Sequence, residues 1–202
     1  MKILTSFGDT VNARHIDDAV RVLRDGGVLI YPTDTIYALG CDALNSRAIE
    51  RLCRLKGINP DKQLLSIVCA SMSQAAEYAR VDNRAFKLMK TCLPGPFTMI
   101  LPSASPLPKV FKGRKSVGVR IPDNSIARAL AEGLGNPIMT TSVAPADEDD
   151  ITSPDALELA YHYDADLLID AGEGGQTGST IINCLDSSSP EIVRQGLGVI
   201  DL

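Results

Sequence analysis

The stretch from Gly26 to Gly40, GGVLIYPTDTIYALG, constrains the fold more than any other part of the chain. Val28, Leu29, Ile30 and Tyr31 form a short apolar run rich in strand-favouring residues, entered from two glycines and stopped by Pro32. That pattern predicts a buried strand. Thr33, Asp34, Thr35 and Tyr37 then set three hydroxyls and a carboxylate beyond its carboxyl end. In open α/β sheets that rim is where ligands bind. A Pro-Thr-Asp turn introducing the next element is the plainer reading of the same residues.

The rest of the chain repeats the theme. Helical spacing runs from Asn12 to Arg24, from Ser46, a candidate cap, to Leu55, from Ser73 to Ala79, from Asn83 to Cys92, from Asn124 or Ser125 to Glu132, and onward from Ser153-Pro154. Strands are predicted at Met1–Leu4 (an edge strand), Leu64–Cys69, Phe97–Leu101, Ser116–Ile121, Pro137–Thr141, Asp166–Asp170, Ser179–Cys184 and Ile192–Arg194, with Asp42–Asn45 as a loop. Short apolar strands alternating with helices define an α/β protein. The last third is too rich in strands for a strict βαβ repeat, so a mixed, twisted open sheet is expected. At 202 residues with no internal repeat, the whole chain, 1–202, is expected to form one domain.

Composition excludes several functions. A formal net charge of −5 argues against a protein that coats nucleic acid indiscriminately, and the absence of Trp argues against an aromatic stacking platform. The charge is unevenly placed: no Asp or Glu occurs from Asn83 to Pro122, where Arg84, Lys87, Lys90, Lys109, Lys112, Arg114, Lys115 and Arg120 all fall. Against this stands the acidic run Asp147-Glu148-Asp149-Asp150. One anion-binding face is the functional reading, and an ordinary solvated face the plain one. Five cysteines without a CxxC pair, beside only two histidines, point to reduced thiols packed as small apolar groups rather than to zinc or disulfides. No signal peptide and no apolar run of membrane-spanning length occurs, so a cytoplasmic protein is expected.

No phosphate loop of the GxxxxGK[ST] type and no GxSxG elbow is present. What remains is a set of hydroxyls and cations at strand ends: Thr33 and Thr35, Lys56 and Lys62, Thr98, Ser116 and Arg120, Thr140 to Ser142, Ser179 and Thr180, and Arg194. Singly, each suits a local backbone bond. Converging on one rim, they suit an oligo-anion such as a nucleoside triphosphate, because both groups donate to phosphate oxygens.

PTDTIYALG, KGINPDK, PGPFT, SVGVRIP, TTSVA, STIIN and VRQG, in this order from about Ile16 to Gly198, resemble the successive motifs of the YrdC/YciO family. The resemblance implies a twisted α/β sheet around a concave, positively charged cavity. It implies an L-threonylcarbamoyladenylate synthase-like activity, in which threonine, bicarbonate and ATP give the adenylate and pyrophosphate for N6-threonylcarbamoyladenosine in tRNA. Mg2+ is expected with the nucleotide, and no metal site of the protein's own. By the same resemblance Thr35, Arg120, Thr140 and Ser179 hold threonine, while Lys56, Lys62, Ser116, Ser142 and Arg194 hold ATP, with Lys56 and Arg120 closest to a catalytic part. Three positions depart from the family pattern: Ile58 stands where an arginine is usual, Ala144 where an asparagine is usual, and Ile67 where longer members often carry a histidine. These departures are similar to the YciO branch. Two other readings remain: a double-stranded RNA or tRNA-binding module of the same fold without synthase activity, and an enzyme acting on a related carbamoyl-adenylate or in reverse.

Overall fold

The structure, a computed structural model, describes residues 1–59, 63–104, 107, 115–143 and 152–202. Its elements run β1 (Lys2–Thr5), α1 (Ala13–Arg24), β2 (Leu29–Tyr31), β3 (Ala38–Asp42), α2 (Ser46–Leu55), β4 (Ser66–Val68), α3 (Met72–Tyr78) and α4 (Asn83–Cys92). They continue β5 (Phe97–Pro102), β6 (Ser116–Arg120), α5 (Ser125–Leu134), β7 (Ile138–Ser142), α6 (Pro154–Tyr161), β8 (Leu167–Asp170), β9 (Thr180–Asn183) and β10 (Glu191–Arg194). Each of these six helices opens on an Asn, Ser or Asp whose side chain accepts a first-turn backbone N–H: Asn12, Asn45, Ser71, Asp82, Asn124 and Ser153. Ser46, expected as a cap, is instead the first helical residue, because Asn45 Oδ1 already takes the Ala48 N–H at 3.2 Å.

The ten strands of the described residues join one sheet in the order β1-β8-β2-β3-β7-β4-β6-β5-β9-β10. Parallel and antiparallel neighbours are mixed: β8 is parallel to β1 and β2, β3 is antiparallel to β2 and β7, and β4 is parallel to β6. The mixed, twisted open sheet expected from the sequence is what the chain forms. Leu29–Tyr31 of the apolar run become β2, fully buried between β8 and β3, and β1 is an outer strand. β3, read from the sequence as a loop at Asp42, is a strand that sequence reasoning missed. Gly40 is required there: a Cβ would come within 2.6 Å of Ile138 and 2.7 Å of Tyr31.

The alternation of strand side chains sends neighbours to opposite faces. On one face Ile30, Leu39, Ile67, Val117, Val119, Met139 and Ile182 meet residues of α2, α3 and α4 in the larger apolar core. On the other, Leu29, Tyr31, Ala38, Val68, Ile138 and Leu167 are covered by α1 and α5. That second layer stops partway across the sheet. Beyond it the same face presents Thr140, Ser66, Gly118 and Thr98, which share a face by register. Among the described residues no helix covers this polar half of the sheet, and the cavity lies there.

Candidate functional site

A cavity of about 220 Å³ opens on that face, bounded by Thr35, Ser66, Thr98, Arg120, Thr140, Ser142, Ser179 and Arg194 with Ile36, Leu64 and Ile181. Thr35 follows β2, Arg120 ends β6, Thr140 and Ser142 lie on β7, Ser179 precedes β9, and Arg194 ends β10. Residues up to 159 positions apart in sequence are thus brought together by the strand order and the loops beside it. Gly118 keeps the floor open, since a Cβ there would meet Ser66 Oγ at 2.4 Å and Thr98 Cγ2 at 3.1 Å. Two other glycines let loops close on the rim: a Cβ at Gly175 would strike the Thr35 carbonyl oxygen at 2.1 Å, and one at Gly196 the Gly178 carbonyl oxygen at 2.3 Å.

Arg120 is the central cation. Its Nη2 donates to Asp34 Oδ1 at 2.8 Å and to Thr35 Oγ1 at 3.1 Å. Asp34 Oδ2 in turn accepts the backbone N–H of Asp123 at 2.9 Å. The Nε of Arg120 is buried with no hydrogen-bond partner. Burial pushes the guanidinium below its usual range, and the neighbouring Asp34 carboxylate works against that. Asp34 pairs with the Arg120 guanidinium without itself lining the cavity, and sequence reasoning gave it no role. The only signal was its place between Thr33 and Thr35.

The remaining polar groups are held as firmly. Thr98 Oγ1 and Ser179 Oγ are 2.7 Å apart, and Arg194 Nη2 donates to the Ser179 carbonyl at 2.7 Å. The phenol of the fully buried Tyr31 donates to Thr140 Oγ1 at 2.9 Å, and burial raises its pKa to about 12. With one guanidinium paired to a carboxylate and a second at the rim, the cavity has the donors to hold a small anion.

Of the residues singled out in the sequence, Thr35, Arg120, Thr140, Ser142, Ser179 and Arg194 line this cavity. Ser116 shares their sheet face, two pleats from Arg120 on β6, but does not line the cavity. Lys56 caps α2 away from the lining, and its Nζ donates to the Val143 carbonyl at 2.7 Å, one residue from Ser142. The Tyr161 hydroxyl donates to the same carbonyl. Ile58 packs against the larger core. Ile67 lies in that core too, on the opposite face from the cavity; from β4 it is Ser66 that lines the cavity, a residue sequence reasoning missed. Lys62 and Ala144 fall outside the described residues, as do Lys109, Lys112, Arg114 and the acidic run at 147–150. All five cysteines are free and buried. Among the described residues no group of three His, Cys, Asp or Glu stands together to hold a metal ion, and no helix is long and apolar enough to cross a membrane.

A mixed α/β sheet with a cationic, hydroxyl-lined cavity on its open face defines the class. The chain belongs to the Sua5/YciO/YrdC family, whose model, described as telomere recombination, matches residues 21–196. It is 39% identical over 193 residues to YciO of Escherichia coli (strain K12), covering 94% of this chain and 93% of that protein. The crystal structure of E. coli YciO superposes with a TM-score of 0.91 over 98% of both chains. The threonylcarbamoyl-AMP synthase of Halorhodospira halophila (strain DSM 244 / SL1) is 36% identical over 130 residues, 63% of this chain and 68% of that one. P. abyssi Sua5 complexed with L-threonine matches with a TM-score of 0.87 and 30% identity, over 97% of this chain and 58% of the Sua5 chain.

Proposed function

We propose that the protein is a cytoplasmic threonylcarbamoyl-AMP synthase-like enzyme, making L-threonylcarbamoyladenylate and pyrophosphate from threonine, bicarbonate and MgATP for tRNA N6-threonylcarbamoyladenosine formation. The observation that carries the reading is the convergence of Thr35, Arg120, Thr140, Ser142, Ser179 and Arg194 on one cavity. The existence of a family member complexed with L-threonine supports it.

The chemistry asks for positioning more than for acid–base groups. The amine of threonine attacks CO2, released from bicarbonate, and loses a proton to give a carbamate. A carbamate oxygen then attacks the α-phosphorus of ATP, the new O–P bond replaces the bond to the β-phosphate, and pyrophosphate leaves. Arg120, Thr35, Thr140 and Ser179 would hold the amino acid. Ser142, Arg194 and Ser116, further along the same sheet face, would lie along the nucleotide, with Lys56 and Lys62 at its phosphates and Mg2+ arriving on them. Purified protein incubated with labelled bicarbonate, threonine and MgATP should form the labelled adenylate and pyrophosphate. Failure to form either, with no threonine binding at millimolar concentration, would sink the reading.

One observation favours a second reading. Ile58 packs on the core where the family pattern has an arginine, and Lys56 donates to the Val143 carbonyl, so among the described residues this loop brings no guanidinium to the phosphate side. A module that holds double-stranded RNA or tRNA on the open sheet face, without making the adenylate, fits that economy. Its signature would be RNA binding with a steep salt dependence and no pyrophosphate release.

A further inference from the structure

The protons of the cavity hydroxyls can be assigned by counting donors and acceptors. Thr33 Oγ1 lies 2.7 Å from the Ile36 carbonyl oxygen, which only accepts, so Thr33 spends its one proton there. Thr33 Oγ1 and Thr35 Oγ1 are 3.0 Å apart. With the Thr33 proton committed, Thr35 must be the donor of that pair. Thr33 Oγ1 also accepts the Thr35 backbone N–H at 3.1 Å, which fixes the turn. Arg120 Nη2, a donor only, takes one lone pair of Thr35 Oγ1. Thr35 is left with one lone pair and no proton to give, on a residue 3% exposed that lines the cavity. Thr140 is in a similar state. The buried Tyr31 hydroxyl donates to it, and its own proton reaches the Leu39 carbonyl at 3.4 Å.

We infer that Thr35 and Thr140 face the cavity as acceptors only, and that Thr33, which does not line the cavity, is the positioning residue that keeps Thr35 in that state. The chain Arg120 N–H to Thr35 O–H to Thr33 O–H to Ile36 C=O runs in one direction, and each bond polarises the next. The ligand it selects is a small anion carrying two N–H or O–H donors beside its negative group. Taking threonine as that ligand rests on the functional reading above: its amine and hydroxyl supply the two donors, and its carboxylate meets the cations. An analogue that presents a lone pair instead of a proton meets lone pair against lone pair.

Neutron diffraction from crystals in deuterated solvent reads the inference directly. The Thr35 hydroxyl deuterium should lie on the line to Thr33 Oγ1; a deuterium pointing into the cavity would overturn it. Calorimetry gives the functional arm with two matched pairs: L-threonine against its 3-fluoro analogue, and L-2-aminobutanoate against 2-oxobutanoate. The donor member of each pair should bind at least tenfold tighter to the wild-type protein. Thr33→Val frees the Thr35 proton, so at least one ratio should fall fivefold or more, and Thr33→Ser should keep both. Ratios unchanged in Thr33→Val, with every affinity merely lower, would make Thr33 a structural residue and overturn the inference. A protein that binds none of the four compounds, but shows the expected deuterium, would overturn the synthase reading and leave the proton assignment standing.

Discussion

Arg120 and Asp34 form an ion pair of 2.8 Å between side chains only 9% and 8% exposed, 86 residues apart in sequence. Removing one partner of a buried pair strands the other charge, at a cost of about 3–5 kcal/mol. Asp34→Ala should therefore lower unfolding stability by that order in urea titrations. The double variant Asp34→Leu/Arg120→Met, which strands neither charge, should recover most of the loss. A single variant as stable as the wild type would show that the pair is not formed in solution.

Threonine and ATP should respond differently to Arg120. Arg120→Lys keeps the charge but not the planar fork, and Arg120→Ala removes both. Threonine affinity should fall by about 2–5 kcal/mol in the alanine variant and less in the lysine variant. ATP affinity should change much less in either. A parallel loss of both ligands, in variants shown to be folded by circular dichroism, would place Arg120 on the nucleotide instead.

The phosphate side offers a gain-of-function test. Ile58 is only partly buried at the edge of the core, so an arginine can replace it without opening a large cavity. A guanidinium that reaches a phosphate adds charge-assisted bonds of about 1.5–3 kcal/mol. Ile58→Arg should tighten ATP binding in calorimetry. No gain in a stable variant would separate this position from the nucleotide.

The cysteines predict an alkaline limit. Burial pushes the Cys69 thiol up to about 12 and those of Cys92 and Cys184 up to about 11, from a reference of 9.0. The unfolded chain then loses these protons first, so above about pH 9 it binds fewer protons than the folded state and stability falls with rising pH. Denaturation midpoints should decline between about pH 9 and pH 11. Substituting Cys69 by Ala or Val should flatten part of that decline. A thiol reagent at pH 8 should find all five cysteines protected until the chain unfolds.

Local chemistry made much of this fold legible. α4 could be bounded at Asn83 and Cys92 from its helical spacing, and the structure adds the Asp82 cap. Ser153-Pro154 announced α6 as a cap followed by proline. β3 was not legible, since Ala38, Leu39, Gly40 and Cys41 carry no strand signal of their own, and the need for Gly40 comes from Tyr31 and Ile138 across the sheet. The strand-end hydroxyls and arginines could be picked out by residue type and motif order. The bond from Asp34 to Arg120 could not, because a carboxylate in a turn looks like a turn residue until the strand order sets a guanidinium beside it. The side of β4 that faces the cavity was likewise decided by register, which pairs Ser66 with Gly118 and turns Ile67 to the core.

The Tyr31 side chain crosses a boundary that most residues respect. Its ring is packed beneath α1 and α5, while its oxygen holds a hydroxyl of the ligand cavity. A loosening of that helical layer is therefore transmitted to Thr140 through one rigid six-membered lever. Substitutions in that layer, at Leu23 or Leu130 for example, would disturb the Thr140 hydroxyl without touching the cavity, so that drift in this core and drift at the cavity wall share a single hinge point.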